Sequence, residues 1–156
     1  MKKSLIILIT LMSLAILASS CQKEQAIPSL EASLTGEWHL TRTEVEDKVL
    51  NTGMDVYLSL SQDCTFEIYQ KYSGQLRYTK FTGTCTYAGG ILTGTYSNGT
   101  SWGAAYSVSV EDDMLVLTTT DLVETQTYRK ESLPQEEKDK ADTKTKSSDC
   151  DILPFL

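Results

Sequence analysis

Between residues 34 and 130, apolar and polar residues alternate in short runs that are separated by Gly, Asn and Asp. Alternation with a period of two is typical of β-strands that bury one face, and no stretch in this part of the chain has the period of a helix. The predicted fold class is therefore all-β. The pattern predicts eight strands, at residues 36–44, 55–60, 65–72, 76–87, 91–97, 102–111, 114–119 and 122–130.

The links between these predicted strands are short and rich in turn-forming residues, which indicates a series of antiparallel hairpins. A hairpin whose turn is at 112–113 pairs Val110 with Leu115, so that one face of the hairpin is apolar. Eight strands joined in this way form an up-and-down meander. Such a meander can close into a barrel, which leaves no free sheet edge.

The first twenty residues predict a signal peptide. Lys2 and Lys3 precede an apolar run at residues 5–17, and small residues lead to Cys21. This run is shorter than the roughly 18 to 20 apolar residues that a membrane span needs. The stretch "LASSC" resembles a bacterial lipobox, which implies that the Cys21 thiol is lipidated and holds the chain on a membrane. The alternative is an ordinary secretory signal, with Cys21 as a free or disulfide-bonded cysteine.

Composition divides the chain into four parts. Residues 1–20 are the signal peptide, and residues 21–33 are polar and form a lipidated tether. Residues 34–130 form the barrel. Residues 131–156 carry many charges of both signs and predict a largely disordered tail, or a frayed helix in solvent as the alternative. The apolar residues at the end of the chain could dock on the barrel or contact a partner protein.

Charge and residue usage argue against several classes of function. The formal net charge is −7 and no basic stripe is present, so we expect no nucleic-acid partner. The chain has one histidine, His39, which follows Trp38 and is expected to face solvent. Without a second histidine, a nucleophile elbow or a metal-ligand cluster, the sequence predicts no enzyme, no metal site and no cofactor.

Three features of the barrel segment together resemble the lipocalin superfamily: Gly36-Glu37-Trp38 on the first strand, the eight-strand meander, and Arg129 on the last strand. The stretch "LTGTYSNGTSWGAAYSVSVEDDMLVLTT" is also similar to lipocalin-like lipoproteins of the Bacteroides type. The resemblance implies that Gly36, Trp38 and Arg129 close the barrel, with the Arg129 guanidinium lying across the Trp38 ring. The alternative is that Trp38 is an ordinary core aromatic residue.

Two cysteines within the barrel segment predict a disulfide. With a hairpin centred on residues 73–74 and one bulge near Gly83, Cys64 lies opposite Cys85. A signal peptide implies an oxidising compartment, in which such a pair forms a disulfide. Cys150 then stays unpaired in the tail. A metal site and a pair of reduced core cysteines are the alternatives.

The predicted inward positions of the strands carry many aromatic residues, with Gly94 and Ala104 among them as small residues. Large side chains around small ones leave room for a ligand, and an apolar pocket with a few hydroxyl groups suits a small hydrophobic or amphipathic molecule. The candidate ligand-binding residues are Phe66, Tyr78, Tyr87, Tyr96, Trp102 and Tyr106.

The sequence is compatible with two functions. The first is a lipid-anchored, lipocalin-like protein that binds such a molecule in the bacterial cell envelope, at the outer membrane and facing the periplasm or the cell surface. The second is a structural or protein-interaction lipoprotein with a filled barrel and no ligand.

Overall fold

The computed structural model describes residues 29–143 and 153–156. The signal peptide, Cys21 and Cys150 lie outside these residues. The secondary structure consists of β1 (Gly36–Val45), β2 (Lys48–Leu50), β3 (Met54–Leu60), β4 (Thr65–Tyr72), β5 (Thr79–Ala88), β6 (Ile91–Tyr96), β7 (Tyr106–Glu111), β8 (Met114–Thr119), β9 (Glu124–Lys130), α1 (Gln135–Asp139) and β10 (Asp142–Thr143).

Eight of these strands form a closed antiparallel barrel. β1 and β3 to β9 pair in chain order, and β9 pairs with β1 to complete the circle. The predicted pairing of Val110 with Leu115 is present between β7 and β8. The prediction of an all-β, eight-stranded up-and-down barrel is therefore confirmed. The short strand β2 is an addition beside β1, and β10 adds to β5 in parallel.

An up-and-down order places successive loops at alternate ends of the barrel, and the two ends are named here after one residue each. The Trp38 end has the start of β1 and the turns at 61–64, 89–90 and 112–113. The Gln70 end has the loops at 46–53, 73–78, 97–105 and 120–123.

The barrel interior is filled mainly by apolar side chains. Complete burial of one Leu, Ile or Phe side chain contributes about 1.5 to 3 kcal/mol to stability, so this cluster holds the fold together. Its most deeply buried apolar members are Trp38, Val56, Leu58, Leu60, Phe66, Ile68, Leu92, Leu115, Leu117 and Tyr128.

A bulge in β1 decides which polar residues enter the barrel. Simple alternation from Trp38 would turn Arg42 and Glu44 inward. The register of β1 with β9 shifts between Leu40 and Arg42, so Thr43 is buried instead. Arg42 and Glu44 form an ion pair on the outside, with 2.6 Å between Nη2 and Oε1. One extra residue in a strand reverses the faces of all residues beyond it.

Residues 131–143 differ from the largely disordered tail that the sequence predicts. Leu133 is buried against three tyrosines on the outer face of β3 to β5, and the Asp142 amide donates to the Tyr78 carbonyl oxygen at 2.9 Å. The short helix α1 carries an ion pair between Glu136 and Lys140. The tail was expected to stay in solvent because it has few apolar residues, but the surface that accepts Leu133 is not visible in a sequence.

Candidate functional site: the barrel interior

Buried polar side chains are concentrated at one end of the barrel. They all lie on the halves of their strands that approach the Gln70 end, and no Lys or Arg is among the buried side chains of the described residues. Burying a polar group costs free energy unless the group is hydrogen-bonded. The interior is therefore lined by apolar side chains near Trp38, and by both apolar and polar side chains near Gln70. The five residues are Thr43, Gln70, Thr79, Thr119 and Gln126.

One row of hydrogen bonds follows β9 inside the barrel. The Tyr128 hydroxyl donates to Gln126 Oε1 at 2.6 Å, and Gln126 Nε2 donates to Glu124 Oε1 at 2.6 Å. Burial raises the pKa of the Tyr106 phenol to about 12. The negative charge of Glu124 is the second cause of this rise. The row therefore brings a carboxylate to the Gln70 end, and the phenol of Tyr106 keeps its proton at neutral pH.

Three buried polar atoms at the Gln70 end have no hydrogen-bond partner within the described residues. They are Gln70 Oε1, Thr43 Oγ1 and Trp102 Nε1. The fourth such atom, Glu37 Oε2, belongs to a residue at the Trp38 end whose other carboxylate oxygen binds Lys138. A buried polar atom that lacks a partner costs about 1 to 3 kcal/mol, so three at one end are unusual in a finished core.

Trp102 lies in the loop at 97–105, although the sequence predicts a strand from residue 102. The ring covers Gly94 of β6, and a Cβ atom added to Gly94 would overlap it. The Trp102 amide also donates to the Gly94 carbonyl oxygen at 2.9 Å. The ring centre lies 5.0 Å from that of Phe66 and 6.1 Å from that of Tyr106. Glycine at position 94 is thus what allows this indole to enter the core.

Of the six predicted ligand-binding residues, the structure brings together Phe66, Tyr96, Trp102 and Tyr106 in one buried cluster. Tyr87 is partly buried against the same cluster.

Tyr78 requires a correction, because it lies outside the barrel with Leu133 and donates a hydrogen bond to Asp55. The predicted bulge near Gly83 is absent. β4 and β5 pair regularly, with Phe66 opposite Gly83, and this register turns Tyr78 outward.

Residues 153–156 lie at the Gln70 end and enter the core. Leu156 is 5 % exposed and belongs to the main apolar cluster, against which Phe155 packs. The Tyr96 hydroxyl donates to the Leu156 main-chain oxygen at 2.6 Å, and Gln70 Nε2 donates to the Leu153 carbonyl oxygen at 2.9 Å. This segment therefore occupies two polar groups that the barrel presents inside. The sequence left open whether these apolar residues dock on the barrel or contact a partner protein, and the structure shows them docked on the barrel.

At the Trp38 end, the buried indole has a hydrogen-bond partner. Trp38 is fully buried, and its Nε1 donates to the Leu34 carbonyl oxygen at 2.9 Å. Gly36 has a positive φ of 138°, and a Cβ there would lie 3.4 Å from the Lys130 side chain. Lys130 Nζ lies 5.3 Å from the centre of the Trp38 ring system.

The structure corrects the predicted role of Arg129. β9 pairs with β1 so that Lys130 lies opposite Trp38, while Arg129 lies opposite His39 and shares its outward direction. Arg129 is largely exposed and forms an ion pair with Glu131. The cation over the indole is therefore Lys130, one residue beyond the predicted position.

Cys64 and Cys85 are neighbours, as the sequence predicts, but the predicted disulfide is absent. Both cysteines are buried and free, and the Cys85 amide donates to the Cys64 carbonyl oxygen at 2.7 Å. Burial raises the pKa of the Cys85 thiol to about 11. The nearby Cys64 is the second cause of this rise. The alternative of reduced core cysteines describes this pair.

His39 is more involved in contacts than the sequence suggests. It faces outward, but its Nε2 lies 2.8 Å from Asp55 Oδ1 and its Nδ1 lies 3.4 Å from Glu131 Oε2. The ring stacks on Tyr57, with 4.3 Å between ring centres. These contacts fasten the start of segment 131–143 to the barrel. Only the outward direction of His39 was readable from the sequence, since its partners are distant along the chain.

Two further features of the molecule bear on its chemistry. Among residues 29–143 and 153–156, no group of three or more His, Cys, Asp or Glu could hold a metal ion. A shallow groove of about 600 Å³ lies on the outer face of β3 to β6. Its outward-pointing lining is mainly hydroxyl groups, with Glu67 as the charged member.

Comparison with known proteins gives one family match. The model of the lipocalin-like domain family matches residues 34–117, which is more than half of the chain. A search of curated proteins found no match.

Three solved structures are similar in fold. A lipoprotein YedD from Klebsiella pneumoniae is 14% identical, covers 71% of this chain and 83% of its own, and has a TM-score of 0.45. An uncharacterized protein from Bacteroides eggerthii is 15% identical, with 62% and 98% covered and a TM-score of 0.49. A fatty acid transporter, REP1-NXSQ, is 18% identical, with 67% and 100% covered and a TM-score of 0.40.

Proposed function

The chain belongs to the family of lipocalin-like domains, and on that premise we propose that its barrel binds a small hydrophobic or amphipathic molecule. One observation carries this proposal: buried polar atoms that have no partner within the described residues lie at the Gln70 end, next to the apolar core. A ligand with matching polar groups would remove a cost of about 1 to 3 kcal/mol for each atom that it pairs. An apolar body on the same ligand would meet the aromatic cluster of Phe66, Tyr96, Trp102 and Tyr106.

Native mass spectrometry of the protein purified without detergent tests this proposal. We expect an added mass that disappears after extraction with organic solvent. Gln70→Ala should lower the bound fraction, since Gln70 is inside the barrel, whereas Gln75→Ala, at an exposed glutamine in the loop at 73–78, should not. A protein that carries no added mass from its host, and gains none from lipids, bile acids or pigments, would contradict ligand binding.

We further propose that the mature chain is anchored in the bacterial cell envelope through a lipid on Cys21. This proposal, and the division at residues 20, 33 and 130, depend on the sequence pattern alone. Cys21→Ala should abolish acyl labelling and release soluble protein, and unchanged membrane fractionation would contradict it. Among the described residues, no helix is both long and apolar enough to cross a bilayer.

The second candidate is a structural or protein-interaction lipoprotein whose barrel stays filled. It is favoured by one specific observation, which is that Leu156 already occupies the core at the Gln70 end. The large exposed apolar residues also lie at that end, namely Val49, Leu50, Leu76, Leu122, Val123 and Leu153. Exposed apolar groups that share one end can serve a protein partner as well as a ligand. Absence of any bound molecule in the native mass spectrum would favour this candidate.

We propose binding rather than catalysis. The one histidine, His39, lies on the outer face, where both ring nitrogens already face carboxylates. Inside the barrel, the ionisable side chains at the Gln70 end are Glu124 and phenols that keep their protons, such as Tyr106. This set can orient a ligand by hydrogen bonds, and within the described residues it contains no general acid paired with a general base.

A further inference from the structure

Residues 153–156 show what kind of molecule the Gln70 end accepts. The segment offers two main-chain oxygens to the barrel, and each accepts a hydrogen bond from a side chain inside it: Leu153 from Gln70 Nε2 and Leu156 from the Tyr96 hydroxyl. The Leu156 side chain meanwhile enters the apolar cluster. An apolar chain that carries oxygen atoms as hydrogen-bond acceptors therefore fits this end of the barrel.

The two donors at this end are neutral. Within the described residues, no Lys or Arg is buried in the barrel, so the oxygens of an occupant are held by the Gln70 amide and the Tyr96 hydroxyl.

We propose that Gln70 and Tyr96 form a subsite that donates hydrogen bonds to the oxygen atoms of an acyl compound, and that residues 153–156 occupy this subsite until the ligand displaces them. This inference rests on the proposed function, since it names the ligand class and the built-in competitor of the same site. Gln70 Oε1 and Trp102 Nε1, which have no partner within the described residues, remain available to the remaining polar atoms of the ligand.

Oleamide and oleate serve as probes, because they share one acyl chain and each carries an oxygen that can accept a hydrogen bond. Native mass spectrometry of the full chain, with each lipid below its aggregation concentration, gives the bound fractions. We expect binding, because Gln70 Nε2 and the Tyr96 hydroxyl can donate to these oxygens.

Displacement is tested by amide hydrogen exchange on the full chain, which needs no substitution. Oleamide should increase exchange in a fragment that covers residues 153–156, while the outer helix α1 serves as the internal control and should not change. Slower or unchanged exchange at 153–156 with oleamide bound would overturn displacement.

A chain that ends after residue 152 tests the competition directly. It should bind oleamide about tenfold more tightly or better, because the binding-competent state no longer has to compete with the segment. Equal affinity of the two chains would overturn the competition while leaving ligand binding intact. No binding of either lipid by either chain would overturn both this inference and the proposed function.

In the shortened chain, Tyr96→Phe should lower oleamide affinity about fivefold through loss of one hydrogen bond. Tyr69→Phe is the matched control, because the Tyr69 hydroxyl donates to Glu67 on the outer face. An equal effect of the two substitutions would remove Tyr96 from the subsite.

Discussion

The two ends of the barrel are built in different ways. At the Trp38 end, the indole is fully buried, its Nε1 is hydrogen-bonded and Lys130 covers its ring. At the Gln70 end, Trp102 is also buried, but its Nε1 has no partner within the described residues, and the surrounding core contains polar side chains. All the large apolar side chains that are exposed in the described residues lie at the Gln70 end as well.

The difference indicates that the two ends of the barrel serve different purposes. A buried side chain whose polar group is paired gains the full benefit of burial, and Trp38 has this character. Polar atoms that stay unpaired reduce stability, and folds tolerate them mainly where they serve a function. We therefore assign stability to the Trp38 end and binding to the Gln70 end.

The largest expected effect comes from removing the two indoles separately. Trp38→Ala should lower the free energy of unfolding by about 3 to 5 kcal/mol, the range for large aromatic residues in a core. Trp102→Ala should cost less, because Trp102 belongs to a loop and its Nε1 has no hydrogen-bond partner in the part of the chain that the structure describes. Urea denaturation of both variants measures the difference. A larger loss at Trp102 would contradict the division between the ends.

A smaller effect is expected from the glycine beneath Trp102. Gly94→Ala should lower the free energy of unfolding by about 1 to 3 kcal/mol, since the new methyl group overlaps the Trp102 ring. Gly103→Ala is the control, because a Cβ there meets no atom within 4 Å, and its cost should stay within about 0.5 kcal/mol. Equal stability of the two variants in urea would mean that Trp102 does not cover Gly94.

Alkaline pH should weaken the fold through Cys85. Its pKa is raised to about 11 in the folded chain, while a cysteine in an unfolded chain titrates near 8.5. The stabilising contribution of the neutral thiol is therefore complete below about pH 8.5 and is lost as pH rises towards 11.

Unfolding free energies measured from pH 8 to 10.5 test this, with Cys85→Ala as the control that should decline less steeply. If the free energy of unfolding fell equally steeply with pH in both proteins, the raised pKa of Cys85 would be contradicted. Rapid reaction of Cys85 with a thiol reagent at pH 8 would contradict its burial.

The smallest effect concerns the cation over Trp38. Lys130→Ala should cost about 0.5 to 1 kcal/mol, the contribution of a cation near an aromatic face at a partly exposed site. Arg129→Ala should cost less, since Arg129 is exposed and its ion pair with Glu131 is screened by solvent. Urea denaturation of the two variants measures both costs. A larger cost for Arg129→Ala than for Lys130→Ala would mean that Arg129 is the residue that covers the indole.

The alternation of residues was enough to predict the eight strands, because each hairpin buries one apolar face and its turn is short. Inward and outward positions were harder to predict. The bulge after Leu40 exchanges Arg42 for Thr43 inside the barrel, and the regular β4–β5 pairing places Tyr78 outside. Both features depend on hydrogen-bond register, and a shift of one residue reverses the face of every side chain beyond it.

The site itself was only half predictable. Phe66, Tyr96, Trp102 and Tyr106 were readable as inward aromatic residues, but Gln70 was not, because a glutamine on a strand usually faces solvent. Segment 153–156 was recognisable as apolar, yet its position inside the barrel depends on contacts with residues far away in the chain.

Fluorine NMR of the full chain labelled with 5-fluorotryptophan tests the division of the barrel most directly. The chain has two tryptophans, one near each end, so one spectrum with and without oleamide reports on both, with Trp38→Phe and Trp102→Phe used only to assign the signals. We predict that the Trp102 resonance shifts on addition of oleamide and that the Trp38 resonance does not. A shift of Trp38 with Trp102 unchanged, or no shift of either, would contradict a ligand site at the Gln70 end.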